Sequence, residues 1–188
     1  MKIRGLTLIE ILVVIVILVV LVGILFPVIS NAKMNGKISA SQQSLKSFWM
    51  SLELYRNDND EKVEYGTTAE MGLPPAGRGF GAFLQSYTND PRFTWDKHRD
   101  LVPCGIKVSN ETIRGLIYFP NGISDWPRDI QIYKASNVIL ADKNCNASNV
   151  RIDCQYCEKR SIGITVSGQL RIRQSSEHHV YDQRFYQP

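Results

Sequence analysis

The residues best equipped for chemistry are four cysteines, Cys104, Cys145, Cys154 and Cys157. Cys154-x-x-Cys157 has the spacing of a redox pair or of half a zinc site. A catalytic thiol pair sits at a helix N-terminus following a strand. The flanks here, "RIDCQYCEKRSIG", show no helical pattern. Zinc needs two further ligands, which Cys104 and Cys145 could supply, but oxidation outside the cytoplasm competes with it. Structural disulfides are the preferred reading, with zinc and thiol redox as alternatives. Four cysteines permit three pairings. The preferred one makes Cys154–Cys157 a local clip and lets Cys104–Cys145 tie the middle of the chain to its C-terminal part.

A second constellation lies beside the first. In "DKNCNASNVRID", Asp142, Asn144, Asn146 and Asp153 have the spacing of the first, third, fifth and twelfth ligands of a calcium loop. The sixth position, where a Gly is expected, is Ala147, and the last acid is the shorter Asp. A polar loop between strands explains the stretch equally simply. No cofactor is expected beyond this calcium candidate. Asn110-Glu111-Thr112 and Asn146-Ala147-Ser148 match glycosylation sequons. His98, His178 and His179 are scattered or lie in a polar tail, and no Ser/His/Asp or paired-carboxylate grouping has supporting context. An enzyme is not expected.

The most informative residue is Glu10. It stands at the edge of Ile11–Ile29, nineteen residues without a charged or strongly polar side chain. As a helix they would span roughly 28 Å, close to the ~30 Å hydrocarbon core of a bilayer. Only a helix satisfies its own backbone groups there. Lys2 and Arg4 precede the run, and no basic residue follows until Lys33. That asymmetry puts the N-terminus in the cytoplasm and the bulk of the chain outside. A secretory signal peptide would have a shorter apolar core and a small-residue cleavage site, for which Ser30-Asn31-Ala32 is a poor candidate. A plain single-pass anchor leaves Glu10 unexplained, since a carboxylate in the bilayer costs at least about 2.5–3.5 kcal/mol.

The segment "GLTLIEILVVIVILVVLVGILFP" resembles the N-terminus of type IV pilins and of the pseudopilins of type II secretion. The resemblance covers about thirty residues. It implies a basic leader, residues 1–5, cut after Gly5 by prepilin peptidase on the cytoplasmic side, and N-methylation of the new terminus, Leu6. The chain departs from the family there, where Phe or Met is usual. The resemblance also implies that Glu10 pairs with the Leu6 amine of a neighbouring subunit in a filament. Two charges costly alone in lipid attract strongly together, so Glu10 would fix subunit register. Pro27 would kink or locally unwind the helix during packing, aided by the weak helix former Gly23.

The expected partners are copies of the chain and other pilins or pseudopilins, the peptidase and an inner-membrane assembly platform. Nucleic acid is not indicated: the net charge of +4 falls to +2 without Lys2 and Arg4. The expected location is the bacterial inner membrane, single pass, then a periplasmic or cell-surface filament. The machine could be type II secretion, a type IV pilus or DNA uptake, and a pseudopilin is slightly favoured. The rival from another class is a membrane-tethered extracytoplasmic domain with thiol or metal chemistry at its cysteines.

These assignments demand particular elements. Residues 6–29 should be a transmembrane helix. Residues 30–56 should continue it with an apolar stripe at Met34, Ile38, Ser41, Leu45, Phe48/Trp49, Leu52 and Tyr55, opposite Lys37, Gln42, Lys46 and Glu53. Asn57-Asp58-Asn59-Asp60 reads as its end. Residues 57–188 form the head. Within it, 57–115 reads as irregular, with a short helix around Phe83–Tyr87, and would carry what is specific to this protein. Residues 116–188 read as sheet: "GLIYF" before the turn Pro120-Asn121-Gly122, "DIQIYK" with Ile130 and Ile132 alternating, "NVILAD", and a hairpin with Ile162, Ile164, Val166, a turn at Ser167-Gly168, then Leu170 and Ile172. The predicted class is α+β, a pilin-like long N-terminal helix packed on a C-terminal antiparallel β-sheet.

If the cysteines are disulfide-bonded, thiol titration of the unreduced, denatured chain finds no free thiol. Four reactive thiols would remove the disulfide reading.

Overall fold

The computed structural model describes residues 8–59, 63–75, 83–88, 106–108, 111–113, 116–121, 125–142, 159–176 and 182–187. Helix α1 runs Leu8–Asp58, 51 residues. A two-stranded antiparallel pair follows, β1 (Ile106–Val108) and β2 (Glu111–Ile113). Then come β3 (Leu116–Tyr118), helix α2 (Trp126–Tyr133), β4 (Val138–Asp142), β5 (Lys159–Thr165) and β6 (Leu170–Ser175). The last four strands make one antiparallel sheet in the order β3-β4-β5-β6. The protein is α+β, with a long apolar N-terminal helix and a C-terminal antiparallel sheet. It divides into two compact units, Met1–Gly36 and Lys37–Pro188.

The second unit is organised by the two faces of the sheet. Register places Leu140 opposite Ile164 and Asp142 opposite Ile162, so these four share a face. That face receives α1 residues after Lys37, because the Ser41 hydroxyl donates to Asp142 Oδ2 at 2.6 Å. Leu45, Phe48 and Leu52, spaced by three and four, are buried in the same core as Leu140, Ile162 and Ile164. Burying each such side chain contributes about 1.5–3 kcal/mol. Ser44 and Ser51, also buried, donate back to the carbonyls of Ala40 and Ser47 at 3.0 Å. Their small size lets the helix lie close to its neighbours without leaving a hydroxyl unpaired.

The predicted amphipathic stripe is therefore present, joined by three buried residues the periodicity did not assign to the core, Ser44, Ser51 and Arg56. Arg56 is only 4% exposed. Its Nε donates to the Met71 carbonyl at 3.0 Å and its guanidinium meets Glu53 at 2.7 Å. The hydrogen bonds compensate the burial of its charge. The segment thus anchored is a compact turn: Thr67 donates its N–H and hydroxyl to Glu70 Oε2, at 2.8 and 2.7 Å, in capping-box fashion. It buries Met71 and Leu73. The Tyr118 hydroxyl, buried on the α1 face, donates to the Pro74 carbonyl at 3.0 Å, and burial pushes its pKa well above the usual phenol value.

Two expectations need correction. "DIQIYK" is not a strand. Asp125, Trp126 and Pro127 begin a helix, with Pro in the first turn and Asp129 favourably near the N-terminus. Ile130 and Ile132 lie about 200° apart on that helix; Ile130 is fully buried and Ile132 is 57% exposed. Two-residue spacing of isoleucines signalled alternation, but the start signals won. Within 57–115, read as irregular, β1 and β2 pair with Val108 opposite Glu111. Three-residue strands are too short to show alternation in a sequence.

The hairpin is where it was expected, with a longer connection. Thr165 and Gln169 bracket three residues, with the Gly168 N–H bonded to the Thr165 carbonyl and Gly168 at φ 77°. This is the three-residue hairpin geometry that needs a left-handed residue. A Cβ on Gly168 would also fall 2.9 Å from the Trp49 ring, whose Nε1 donates to Val166 O at 3.0 Å. The turn is thereby clamped to α1. Phe119–Asn121 forms a 3-10 turn immediately after β3, where "PNG" predicted a turn.

One strained residue stands out. Lys134, at the C-terminal end of α2, has φ 47° and ψ −123°, the one non-glycine with positive φ among the described residues. Such a conformation costs on the order of 1–3 kcal/mol for a residue with a Cβ. Replacing Lys134 by Gly is expected to stabilise the protein by about 1 kcal/mol, measured by urea unfolding. A loss of stability would show the strain is not there.

Candidate functional site

The surface with no partner inside its own unit is the first half of α1. From Ile11 to Ile29 every large apolar side chain is between 49% and 77% exposed. The exposure runs all around the helix rather than along one stripe. A helix apolar on every side belongs in a bilayer or among other helices, not in water. It is long and apolar enough to cross a membrane. Among the described residues of this unit, no side chain is buried.

Glu10 is described and exposed, in the first turn of α1. An acid there complements the positive end of the helix dipole, worth about 0.3–1 kcal/mol. That is smaller than the cost of placing a carboxylate in hydrocarbon, so the dipole alone does not account for Glu10 in a membrane. Gly5 and Leu6 lie outside the described residues.

Pro27 lies inside α1. It has no N–H, so the backbone hydrogen bond it would give to the carbonyl four residues earlier is missing. That carbonyl belongs to Gly23. The two poorest helix formers of the run therefore meet in a single turn. A Cβ on Gly23 would touch nothing within 4 Å, so its absence is not required by packing in the isolated chain.

The other predicted site residues divide sharply. Asp142 is fully buried at the end of β4 and accepts from Ser41. The remaining calcium candidates, Asn144, Asn146 and Asp153, lie outside the described residues. So do Cys104, Cys145, Cys154 and Cys157, all three histidines, and both sequon asparagines. Sequence reasoning missed the buried role of Asp142 toward α1. The signal was there: a Ser on the apolar stripe, Ser41, needs a polar partner when buried.

Residues 1–26 match the family described as the prokaryotic N-terminal methylation motif. The match ends one residue before Pro27 and includes Gly5, Leu6 and Glu10. No curated protein and no solved structure matches the chain.

Substituting Pro27 by Ala should restore the missing hydrogen bond to Gly23 and remove a helix penalty of about 3 kcal/mol. Amide exchange across residues 23–31 in detergent should slow. Unchanged exchange would mean the turn is already as closed as its neighbours.

Proposed function

We propose, from the type IV pilin and pseudopilin signature that residues 1–26 carry, that this chain is a structural subunit of a pilus-like filament. More narrowly, we read it as a pseudopilin of type II secretion. The observation that carries this is the match itself, falling on a helix whose apolar side chains are uncovered all around. A membrane covers that surface before assembly, and neighbouring helices cover it afterwards.

In this reading the chain sits in the bacterial inner membrane with its N-terminus in the cytoplasm. Prepilin peptidase cuts after Gly5, and Leu6 is then N-methylated. Methylation leaves the amine positively charged. The Leu6 amine of one subunit and the Glu10 carboxylate of its neighbour form an ion pair inside the helix bundle. At about 4 Å and an effective dielectric near 20, such a pair gains ~4 kcal/mol. Set against roughly 5–7 kcal/mol for burying both charges singly, the gain offsets most of the cost without making the pair a net source of adhesion. A subunit one step out of register leaves both charges buried alone. The pair therefore selects axial position rather than adding bulk adhesion.

Pro27 and Gly23 serve the same assembly. A helix already short of one hydrogen bond can open there at little further cost, letting the segment adjust when neighbours pack against it. The second unit, Lys37–Pro188, with the head 57–188 in it, is carried along as cargo or contact surface. Work comes from helix packing, while the peptidase and an assembly ATPase supply the chemistry.

Intact mass of the membrane-extracted chain should show loss of Met1–Gly5 and gain of one methyl group. A chain that keeps its initiator methionine overturns the reading. Glu10→Gln should insert normally yet impair polymerisation by about tenfold or more, scored by crosslinked or sheared filament yield. Filaments as abundant as wild type would remove the ion pair.

A further inference from the structure

The C-terminal segment Asp182–Gln187 is built into the head. Gln183 is fully buried, and Phe185 and Tyr186 are each 1% exposed. Gln183 bonds both backbone groups of Val138: Oε1 accepts from the Val138 N–H at 2.9 Å and Nε2 donates to the Val138 carbonyl at 2.7 Å. Those two bonds are what a neighbouring strand would supply. β3 ends at Tyr118, opposite Leu140, and Phe119–Asn121 turns off as a 3-10 element, so no β3 residue pairs with Val138, beside which β4 shifts register against β5. Pro120 has no N–H and begins to turn away. Gln183 fills the vacant strand position with its side chain.

Tyr186 lies on the sheet face opposite α1. Gly163 makes room for it: a Cβ there would fall 3.1 Å from the Tyr186 ring and 2.8 Å from Val138 Cγ1. The Tyr186 ring also meets Phe119 edge-on at 5.8 Å. Its hydroxyl lies 2.8 Å from Ser161 Oγ. Ser161 Oγ has one proton, and it donates that proton to the Asp142 carbonyl at 2.8 Å. Tyr186 is therefore the donor to Ser161. Asp142 in turn accepts from Ser41 of α1 through Oδ2. A chain of buried hydrogen bonds thus passes from Tyr186 through Ser161 and Asp142 to Ser41, crossing the sheet from one face to the other.

We propose that Asp182–Gln187 is a latch that sets how firmly the sheet grips α1 around Ser41. With the latch seated, Tyr186 orients the Ser161 hydroxyl, Ser161 holds the Asp142 backbone, and Asp142 presents its carboxyl to Ser41. With the latch withdrawn, Ser161 loses its donor and Val138 loses its pairing at the other end of the same strand. The Asp142 carbonyl then loses the oriented hydroxyl that ties it to β5, and the carboxyl facing Ser41 is held less firmly. The state of Asp182–Gln187 is in this way transmitted to the part of α1 that follows Lys37. The transmission does not depend on the preceding reading.

The test uses the full chain in detergent. Tyr186→Phe and Ser41→Ala each remove one end of the hydrogen-bond chain and should each lower the folding equilibrium constant roughly fivefold. The double variant should lose at least about twofold less than the product of the two. That coupling should vanish when both are repeated with Ser161→Ala. Tyr118→Phe, which removes another buried phenol bond, should combine multiplicatively with Tyr186→Phe. Should a variant fail to fold, amide exchange of the unmodified chain in graded denaturant decides. Residues 182–187 and 41–52 should become exchangeable in the same opening. Multiplicative loss in the Tyr186/Ser41 pair, or C-terminal residues that open with no change at 41–52, would overturn the latch.

Discussion

Water cannot cover the surface that runs from Ile11 to Ile29, and the rest of the protein is arranged around that fact. A Leu, Ile or Val side chain gains roughly 1.5–3 kcal/mol when fully buried, and here nineteen consecutive residues offer almost nothing else. The sum outweighs a single carboxylate's ~3 kcal/mol many times over. Glu10 therefore cannot decide whether the helix enters an apolar phase. It can decide only where along that phase the helix comes to rest. In the proposed filament, bulk apolar surface supplies affinity and one charge supplies position.

The second half of α1 solves a different problem with different residues. Beyond Lys37 the helix buries one face, Leu45, Phe48 and Leu52, with small serines between them. Serine fits close packing but brings a hydroxyl that must be satisfied. Ser44 and Ser51 bond their own helix, while Ser41 reaches across to Asp142. The last is a fixed, directional contact, and directional contacts define an orientation where apolar contacts alone would tolerate sliding. Arg56 and Trp49 add two more, to Met71 and Val166.

What the sequence made legible follows physical length scales. The apolar run, the stripe at three- and four-residue spacing and the alternation in Ile162, Ile164, Leu170 and Ile172 are repeated signals, and the structure contains each element they indicate. α2 was misread because Ile130 and Ile132 gave a two-point alternation, while Trp126-Pro127 and Asp129 marked a helix start. β1 and β2 were too short to register. Nothing local marked Gln183, whose side chain is of a type usually solvated. Its burial makes sense only once β3 has ended at Tyr118, short of Val138, and the Gln183–Val138 contact spans 45 positions that no local pattern announces. The thiol and calcium candidates depend on residues 104 and 144–157, outside what the structure describes, with Asp142 the sole described member.

The Gln183 amide has one more implication. Where β3 stops, Val138 would present a bare donor and acceptor at the margin of a sheet, the kind of site onto which a foreign strand can zip. A side chain that caps this opening cannot itself propagate a ladder, because it ends in two bonds. At the opposite margin, β6 carries Arg171 and Arg173, and the Arg173 guanidinium is tied to the Gln187 carbonyl. Crowded heads confined to two dimensions would collide constantly. In the proposed filament, a capped Val138 would favour parting after such collisions over strand-to-strand stacking at that position.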